Sequence, residues 1–338
     1  MKAGAAILQV LHRAAGQFVS MDELRRSLAE ASASAGPQLK RRLQEELAEL
    51  QQLGYTIESH PHFGYRLLAS PDRLTADDIK AQLKSNIIGS EILVFEETAS
   101  TNDVIEQLAK SGAREGVVVF AESQRKGRGR HGRTWVSPRG KGLWFSVLLR
   151  PKLPPAATSR ITVAASVAVA RAIRQSCGVE ARIKWPNDVI LNGKKLAGIL
   201  VETKSRIAAH ETGLGDYLVL GIGMNVNCVA EDFPSEIAKI ATSLQIETGR
   251  SQDRAALATQ VLATLDERYR AALTDFETIA DEWAHLCTSL GKQIIVTMGR
   301  RRIEGFAQAL DGDGALLLRM DSGHTERILS GDLAVERA

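Results

Sequence analysis

Gly127-Arg128-Gly129-Arg130-His131-Gly132-Arg133-Thr134-Trp135 stands between two apolar stretches, 117–121 before it and Leu143-Trp144-Phe145-Ser146-Val147 after it. Both neighbours read as strands, so this loop belongs to a packed domain. Glycine lets the backbone approach a ligand closely, while a guanidinium grips phosphate or carboxylate through a planar fork. Each such charge-assisted bond is worth about 1.5–3 kcal/mol. A glycine-arginine stretch can also be a disordered nucleic-acid tail, but a tail has no strands on either side. A solvated surface loop remains open when this segment is read alone.

Working outward, strands alternate with helices from residue 92 onward. Strands over 92–95 and 117–121 enclose a helix that begins at Thr101. A strand over 143–149 and a long, mostly apolar helix over 156–176 follow. Further strands cover 182–185, 189–191, 196–201 and 217–226, with Asn192-Gly193 as a tight-hairpin signal. Two amphipathic helices occupy 254–276 and 280–290. From 292 to 335 only short strands remain (294–297, 303–308, 315–319, 326–329), separated by turns such as Asp311-Gly312-Asp313-Gly314.

Two more segments carry chemistry. Lys184-Trp185-Pro186-Asn187-Asp188 puts a lysine at a strand end with small polar residues beyond, and Lys194 to Glu202 follows it. That arrangement suits a negatively charged reacting group; an edge hairpin with surface lysines is the competing reading. Ser100-Thr101-Asn102 opens a helix, where free N–H groups and hydroxyls meet polar ligands, although these residues are also ordinary N-caps.

Together with Gly221-Ile222-Gly223-Met224-Asn225-Val226-Asn227, these segments resemble the catalytic domain of biotin–protein ligases. With its flanking modules the chain resembles the bifunctional type, ligase and biotin-operon repressor in one. The resemblance covers nearly the whole chain. It implies an α+β protein with a winged helix-turn-helix over 1–69 and a catalytic domain over 70–288. The latter would hold a central mixed β-sheet with helices, of the class II aminoacyl-tRNA synthetase and biotin ligase type. A small SH3-like β-barrel would occupy 289–338. Lipoate–protein ligases share the catalytic architecture, but the arginine-glycine loop and the N-terminal module argue against them.

The resemblance also implies roles. Ser100, Thr101, Asn102 and Gln124 would meet biotin, with Ser100, Thr101 and Gln124 on its ureido ring. Arg128, Gly129 and Arg130 would form a loop that orders over the ligand. Arg130 would hold the adenylate, Trp135 would enclose the nucleotide, and Lys184 would sit against the biotin carboxylate and the α-phosphate. Asn187 and Asn225 would serve the nucleotide, and Asp188 would serve Mg²⁺. Lys184 and Arg130 would be the catalytic residues, acting on biotin and ATP as substrates. The implied partners are the biotin carboxyl carrier protein of acetyl-CoA carboxylase, biotin operator DNA and a second copy of the chain when liganded. No enzyme nucleophile is needed, and the seven histidines have no motif spacing that would supply one.

The first seventy residues read as three helices and a hairpin. Ile7, Leu8 and Leu11 share one face. Ser20 caps a second helix with Glu23 at the capping-box position, and Leu24 and Leu28 follow. A small-residue turn over 31–36 precedes Pro37, which starts a third helix bearing Leu39, Leu43, Leu47 and Leu50 and ended by Gly54. Strands at 55–58 and 64–68 form a wing, and the charged stretch after Pro71 reads as a linker. Lys40, Arg41, Arg42 and Arg66 are the candidates for DNA phosphates. Glu45, Glu46 and Glu49 follow on the same helix and would repel them.

Composition sets the limits. At 338 residues, two or three domains are expected. A net charge of +3 is too small to announce a nucleic-acid binder by itself, so that role rests on local clustering. The three cysteines, Cys177, Cys228 and Cys287, form neither a pair nor a metal spacing and read as reduced thiols of a cytoplasmic protein. The apolar start is interrupted by Gln9, His12 and Arg13, which argues against export. The stretch 161–173 contains Arg171 and is too short to span a bilayer.

Overall fold

The computed structural model describes residues 3–14, 16–31, 38–204 and 217–335. The chain divides into two compact units, Met1–Lys84 with Asp253–Thr259, and Ser85–Gln252 with Gln260–Ala338.

In the first unit, α1 (Ala3–Arg13), α2 (Met21–Ala31) and α3 (Gln38–Gln52) precede a hairpin of β1 (Thr56–His60) and β2 (Gly64–Ala69). Ser20 Oγ accepts from the Glu23 amide at 3.2 Å, the expected N-cap. Leu39, Leu43, Leu47 and Leu50 are buried, as their one-face spacing demands, against Ile7, Leu8, Leu11, Leu24 and Leu28. Each fully buried leucine contributes roughly 1.5–3 kcal/mol. Gly54 takes φ +96° just beyond α3, a conformation that a Cβ disfavours. Val19 pairs with Tyr65, which extends the hairpin. Of the turn expected over 31–36, Ala31 instead ends α2, and the rest, with the helix start at Pro37, lies outside the described residues.

The stretch expected to be linker contains a helix, α4 (Ala76–Gln82). Its pattern holds too few apolar residues to register as periodic, because a buried charge fixes it. Asp78 is 1% exposed. It accepts from Thr75 Oγ at 2.7 Å and from the Tyr55 hydroxyl, and it meets His12 Nε2 at 3.3 Å. The Thr75 oxygen in turn accepts the Asp78 amide at 3.1 Å and caps the helix. Arg254, also buried, donates to Asp72 Oδ1 and to the Asp72 carbonyl, both at 3.0 Å. This bond ties the segment 253–259 into the same unit.

The second unit is built on a seven-stranded mixed sheet. Its members are β3 (Glu91–Thr98), β4 (Val117–Gln124), β5 (Gly142–Leu149), β6 (Arg182–Lys184), β7 (Asp188–Leu191), β8 (Lys194–Lys204) and β9 (Tyr217–Asn225). The spatial order is β3-β4-β5-β9-β8-β7-β6. Only β3 and β4 run parallel, joined through α5 (Thr101–Lys110); the remaining pairs are antiparallel. Asn192 and Gly193, both at positive φ, make the β7–β8 turn. Helix α5 packs across β4, β5 and β9. Helix α6 (Ser159–Cys177) packs across β6, β7 and β8 and against α10 (Phe276–Leu286).

Helix α6 is apolar nearly all round because it is buried nearly all round. With its leading turn it is the described helix long and apolar enough to cross a membrane, and most of it is buried. Two short helices, α7 (Ser235–Ala238) and α8 (Leu244–Thr248), were not legible in the sequence. Helix α9 (Arg254–Thr274) follows them.

The C-terminal module is an antiparallel sheet of β10 (Gln293–Met298), β11 (Arg301–Leu310), β12 (Leu316–Arg319), β13 (Thr325–Ile328) and β14 (Asp332–Val335), ordered β13-β12-β11-β10-β14. Strand β14 is an addition to the four expected.

Candidate active site

The arginine loop is a tight hairpin folded back on itself. The Gly129 amide donates to the Arg133 carbonyl at 2.7 Å, and the Trp135 amide donates to the Gly127 carbonyl at 2.9 Å. A Cβ on Gly127 would lie 2.3 Å from the Trp135 carbonyl oxygen, so only glycine closes the base. The tip turns at His131, φ 55°, and Gly132, φ 73°. The loop's arginines therefore point away from its own backbone ladder.

Under this hairpin lies a cavity of about 500 Å³. It is lined by Ser100, Thr101, Asn102, Gln124, Arg128, Gly129, Arg130, Trp135, Lys184, Asn187, Asp188 and Asn225. These are all the residues that the sequence singled out for biotin, nucleotide and metal. They come from α5, β4, the loop, the β6–β7 turn and β9, so the cavity runs across the sheet.

Strand glycines make its floor. Gly198 on β8 and Gly223 on β9 are cross-strand partners. A Cβ on Gly223 would come within 2.5 Å of the Trp135 indole, and one on Gly198 within 2.9 Å. The indole thus lies flat on two strands where side chains are missing. Its Nε1 is buried without a hydrogen-bond partner, which leaves a donor for a ligand atom. Gly221 does the same for Asn102, whose Oδ1 would be 2.5 Å from a Cβ there.

The charges differ in how far they are committed. Arg128 donates to Asp103 Oδ1 at 2.6 Å and to Glu202 Oε2 at 3.1 Å, so its fork is already filled. Arg130 donates to Asn187 Oδ1 at 3.0 Å and to the Gly331 carbonyl at 3.3 Å, lies 3.4 Å from His131 Nε2, and pairs with no carboxylate among the described residues. Burial, aided by Arg133, pulls the Arg130 pKa below its ordinary value against the pull of Asp332 and Asp188. A half-buried guanidinium without a carboxylate in contact is poised for an anion. Asn187 is spent on this task, since its Nδ2 donates to the Ile199 carbonyl at 2.7 Å. Lys184 has no ion-pair partner among the described residues, whereas Lys195 pairs with Asp188 at 2.6 Å and sits over the Trp135 ring. Asn225 has its amide committed to the Thr242 carbonyl at 2.9 Å.

Sequence reasoning missed several lining residues. Gly331, Asp332 and Leu333 come from the C-terminal module, and Asp332 pairs with Arg133 of the loop. Burial alone would raise the Asp332 carboxyl, but Arg133, His131 and Arg130 hold it below its ordinary range. Phe233, Ile237 and Ile240 form an apolar rim. A short apolar periodicity at 233, 237 and 240 was the available signal there; Asp332 had none. Lys40, Arg41, Arg42 and Arg66 lie in the other unit. Arg41 pairs with Glu45 at 2.8 Å, Arg42 with Glu46 at 3.8 Å and Arg66 with Glu58 at 2.7 Å, while Lys40 is exposed.

Residues 94–225 match the biotin/lipoate A/B protein ligase family, and residues 289–334 match the biotin protein ligase C-terminal domain. The chain is 33% identical to the bifunctional ligase/repressor BirA of Bacillus subtilis over 97% of each chain. It is 35% identical to the biotin–[acetyl-CoA-carboxylase] ligase of Paracoccus denitrificans, over 67% of this chain and 93% of that one. A biotin protein ligase from Aquifex aeolicus, solved with biotin and ATP, superposes with a TM-score of 0.63 at 30% identity, covering 74% of this chain and all of that one. The chain belongs to the biotin/lipoate protein ligase family, and it is a ligase.

Proposed function

We propose that this enzyme activates biotin with ATP as biotinyl-5′-AMP and then transfers the biotinyl group to a lysine of biotin carboxyl carrier protein of acetyl-CoA carboxylase. The supporting observation is the convergence of twelve sequence-selected residues on one cavity. Neutral hydrogen-bonding groups enter it from α5 and β4, and uncommitted cations enter from the loop and the β6–β7 turn. The relatives' ligase names and the biotin and ATP complex of the Aquifex protein point the same way.

The biotin carboxylate attacks the α-phosphorus of ATP and expels pyrophosphate. Both reactants are anionic, and Lys184 and Arg130 offset their repulsion as charge builds up between them. The carrier lysine amine then attacks the mixed anhydride, and AMP leaves. An anhydride hydrolyses in water, so the loop hairpin, pinned to Gly331 and Asp332, excludes solvent. Thr101 and Gln124 would hold the ureido ring, with Ser100 and Asn102 beside them. Trp135 would stack on the nucleotide.

Magnesium is expected with ATP, but these residues do not form a magnesium cage. Asp188 faces Lys195, and among the described residues no cluster of three His, Cys, Asp or Glu exists. An ion carried by the nucleotide's own phosphates fits better, and no step here depends on it.

We assign the first unit, with its winged helix over 1–69, to a biotin-responsive repressor that reads operator DNA as a ligand-dependent homodimer in the cytoplasm. The catalytic domain is then 70–288 and the C-terminal domain 289–338. Mass spectrometry of a carrier domain incubated with enzyme, ATP and biotin tests the enzyme reading, with lipoate as the competing substrate. A gain of one biotinyl group on a lysine is expected. Lipoylation without biotinylation would overturn it.

A further inference from the structure

From the cavity wall inward runs an unbroken chain of hydrogen bonds whose inner members, Ser146 and Glu202, have no part in the proposed reaction. Asn102 Nδ2 donates to Glu202 Oε2 at 2.6 Å, and Ser146 Oγ donates to Asn102 Oδ1 at 2.5 Å. Ser146 Oγ and Thr101 Oγ1 are 2.7 Å apart. Gln124 Oε1 accepts the Thr101 amide at 2.9 Å and is also within reach of the Thr101 hydroxyl as an acceptor, at 3.2 Å. Gln124 Nε2 then donates to Ser137 Oγ at 3.0 Å. Ser146 is fully buried, and Thr101 and Asn102 nearly so. Neither Ser146 nor Glu202 lines the cavity.

The two ends fix the direction of every proton between them. A backbone N–H can only donate, so Gln124 must turn its oxygen to Thr101. Glu202, flanked by the cations Arg128 and Lys204, offers only lone pairs, so Asn102 must turn its nitrogen there and its oxygen to Ser146. Ser146 has one proton and it is spent on Asn102. The Thr101 proton is then taken up inside, by Ser146 Oγ at 2.7 Å or by Gln124 Oε1 at 3.2 Å. With that proton directed inward, Thr101 Oγ1 turns only lone pairs to the cavity.

We infer that Ser146 and Glu202 are specificity-determining positioning residues: by spending protons behind the pocket, they make Thr101 an obligate acceptor and select a ligand that presents an N–H. The inference rests on the biotin reading, in which the ligand's cyclic urea supplies that N–H. A ligand with an ether oxygen in its place would meet oxygen against oxygen and leave a buried group unpaired, the situation in which sites discriminate by large factors.

The test is calorimetric titration of the full-length protein with biotin and with the two analogues in which one ureido N–H is replaced by oxygen, giving a cyclic carbamate. The unaltered enzyme should bind one of the two roughly 10- to 100-fold more weakly than biotin, the cost of one unpaired buried group. Ser146→Ala removes the nearer acceptor of the Thr101 proton and leaves Gln124 Oε1 at the longer 3.2 Å. The hydroxyl can then turn and donate to the ligand, so the gap should shrink to less than about tenfold, mostly through tighter relative binding of the carbamate. Glu202→Ala releases Asn102 to turn over and should do the same. It serves as the second variant should the buried Ser146 change impair folding. Asp103→Asn disturbs the Arg128 pair without touching the chain and should keep the wild-type ratio. An unchanged ratio in both chain variants, or an unaltered enzyme that tolerates both carbamates, overturns the inference. An enzyme that does not bind biotin at all overturns the ligase reading, and the inference with it.

Discussion

At the scale of single residues, the site separates cations that are bound from cations that wait. Arg128 is held by two carboxylates, whereas Lys184 has no ion-pair partner among the described residues and Arg130 meets two neutral oxygens and the His131 ring but no carboxylate among them. A neutral amide at 184 cannot offset charge where two anions meet, so Lys184→Gln should slow biotin-dependent exchange of pyrophosphate into ATP by about 10²–10³-fold. The unfolding midpoint should stay put, because the Lys184 side chain has no ion pair to lose among the described residues; near-normal exchange would remove Lys184 from the chemistry. Gly223→Ala tests the floor. Its methyl would intrude on the Trp135 indole, and overpacking of this kind typically costs about 1–3 kcal/mol. The KM for ATP should rise about tenfold with biotin affinity nearly intact. Equal weakening of both ligands would mean that the indole serves the whole cavity.

At the scale of elements, Asp266 on α9 does what a cap does, at long range. It accepts the amides of Asn86, Ile87 and Ile88 at 3.1, 2.7 and 2.8 Å, and it is 1% exposed. Burial alone would raise its pKa, but these amides and Arg270 outweigh it and hold the carboxyl below its ordinary value. A depressed carboxylate stabilises the fold above the unfolded-state pKa of about 3.9 and loses that contribution as pH falls through the lower folded value. Asp266→Asn should thus destabilise the second unit by roughly 2–4 kcal/mol at pH 7 and by less below pH 3. Urea unfolding at both pH values would show it; an equal loss at both would mean that charge is irrelevant.

No spacing in the sequence announces this contact, since its partners are almost 180 residues apart, and the same holds for Glu202 with Asn102 and for Asp332 with Arg133. What was legible had local causes: the leucine face of α3, the Asn192-Gly193 turn, and motifs whose glycines and cations sit within one loop. Helix α4 escaped notice because its decisive residue is a buried aspartate rather than an apolar stripe.

At the scale of the whole molecule, the charge balance of α3 governs how the first unit would meet DNA. Along α3, Lys40, Arg41 and Arg42 are matched by Glu45, Glu46 and Glu49, so the helix carries no net charge. Arg41 and Arg42 reach back to Glu45 and Glu46 one turn on. For Glu46, burial first and Glu49 second push its carboxyl above the ordinary value, which fits the longer 3.8 Å pair. Exposed pairs of this kind contribute little, so they tax phosphate binding without forbidding it. The double variant Glu45→Gln, Glu46→Gln removes both of these ion pairs. If α3 faces DNA, low-salt affinity for a biotin-gene promoter fragment should rise about 3- to 30-fold. The plot of log K against log salt should steepen by about 2 per protomer, at about 0.9 per phosphate contact. Band shifts at a series of salt concentrations, with biotin and ATP present, give both numbers. Affinity and slope unchanged from the parent would show that α3 meets no phosphate. The first unit would then contribute packing to a ligase and not regulation.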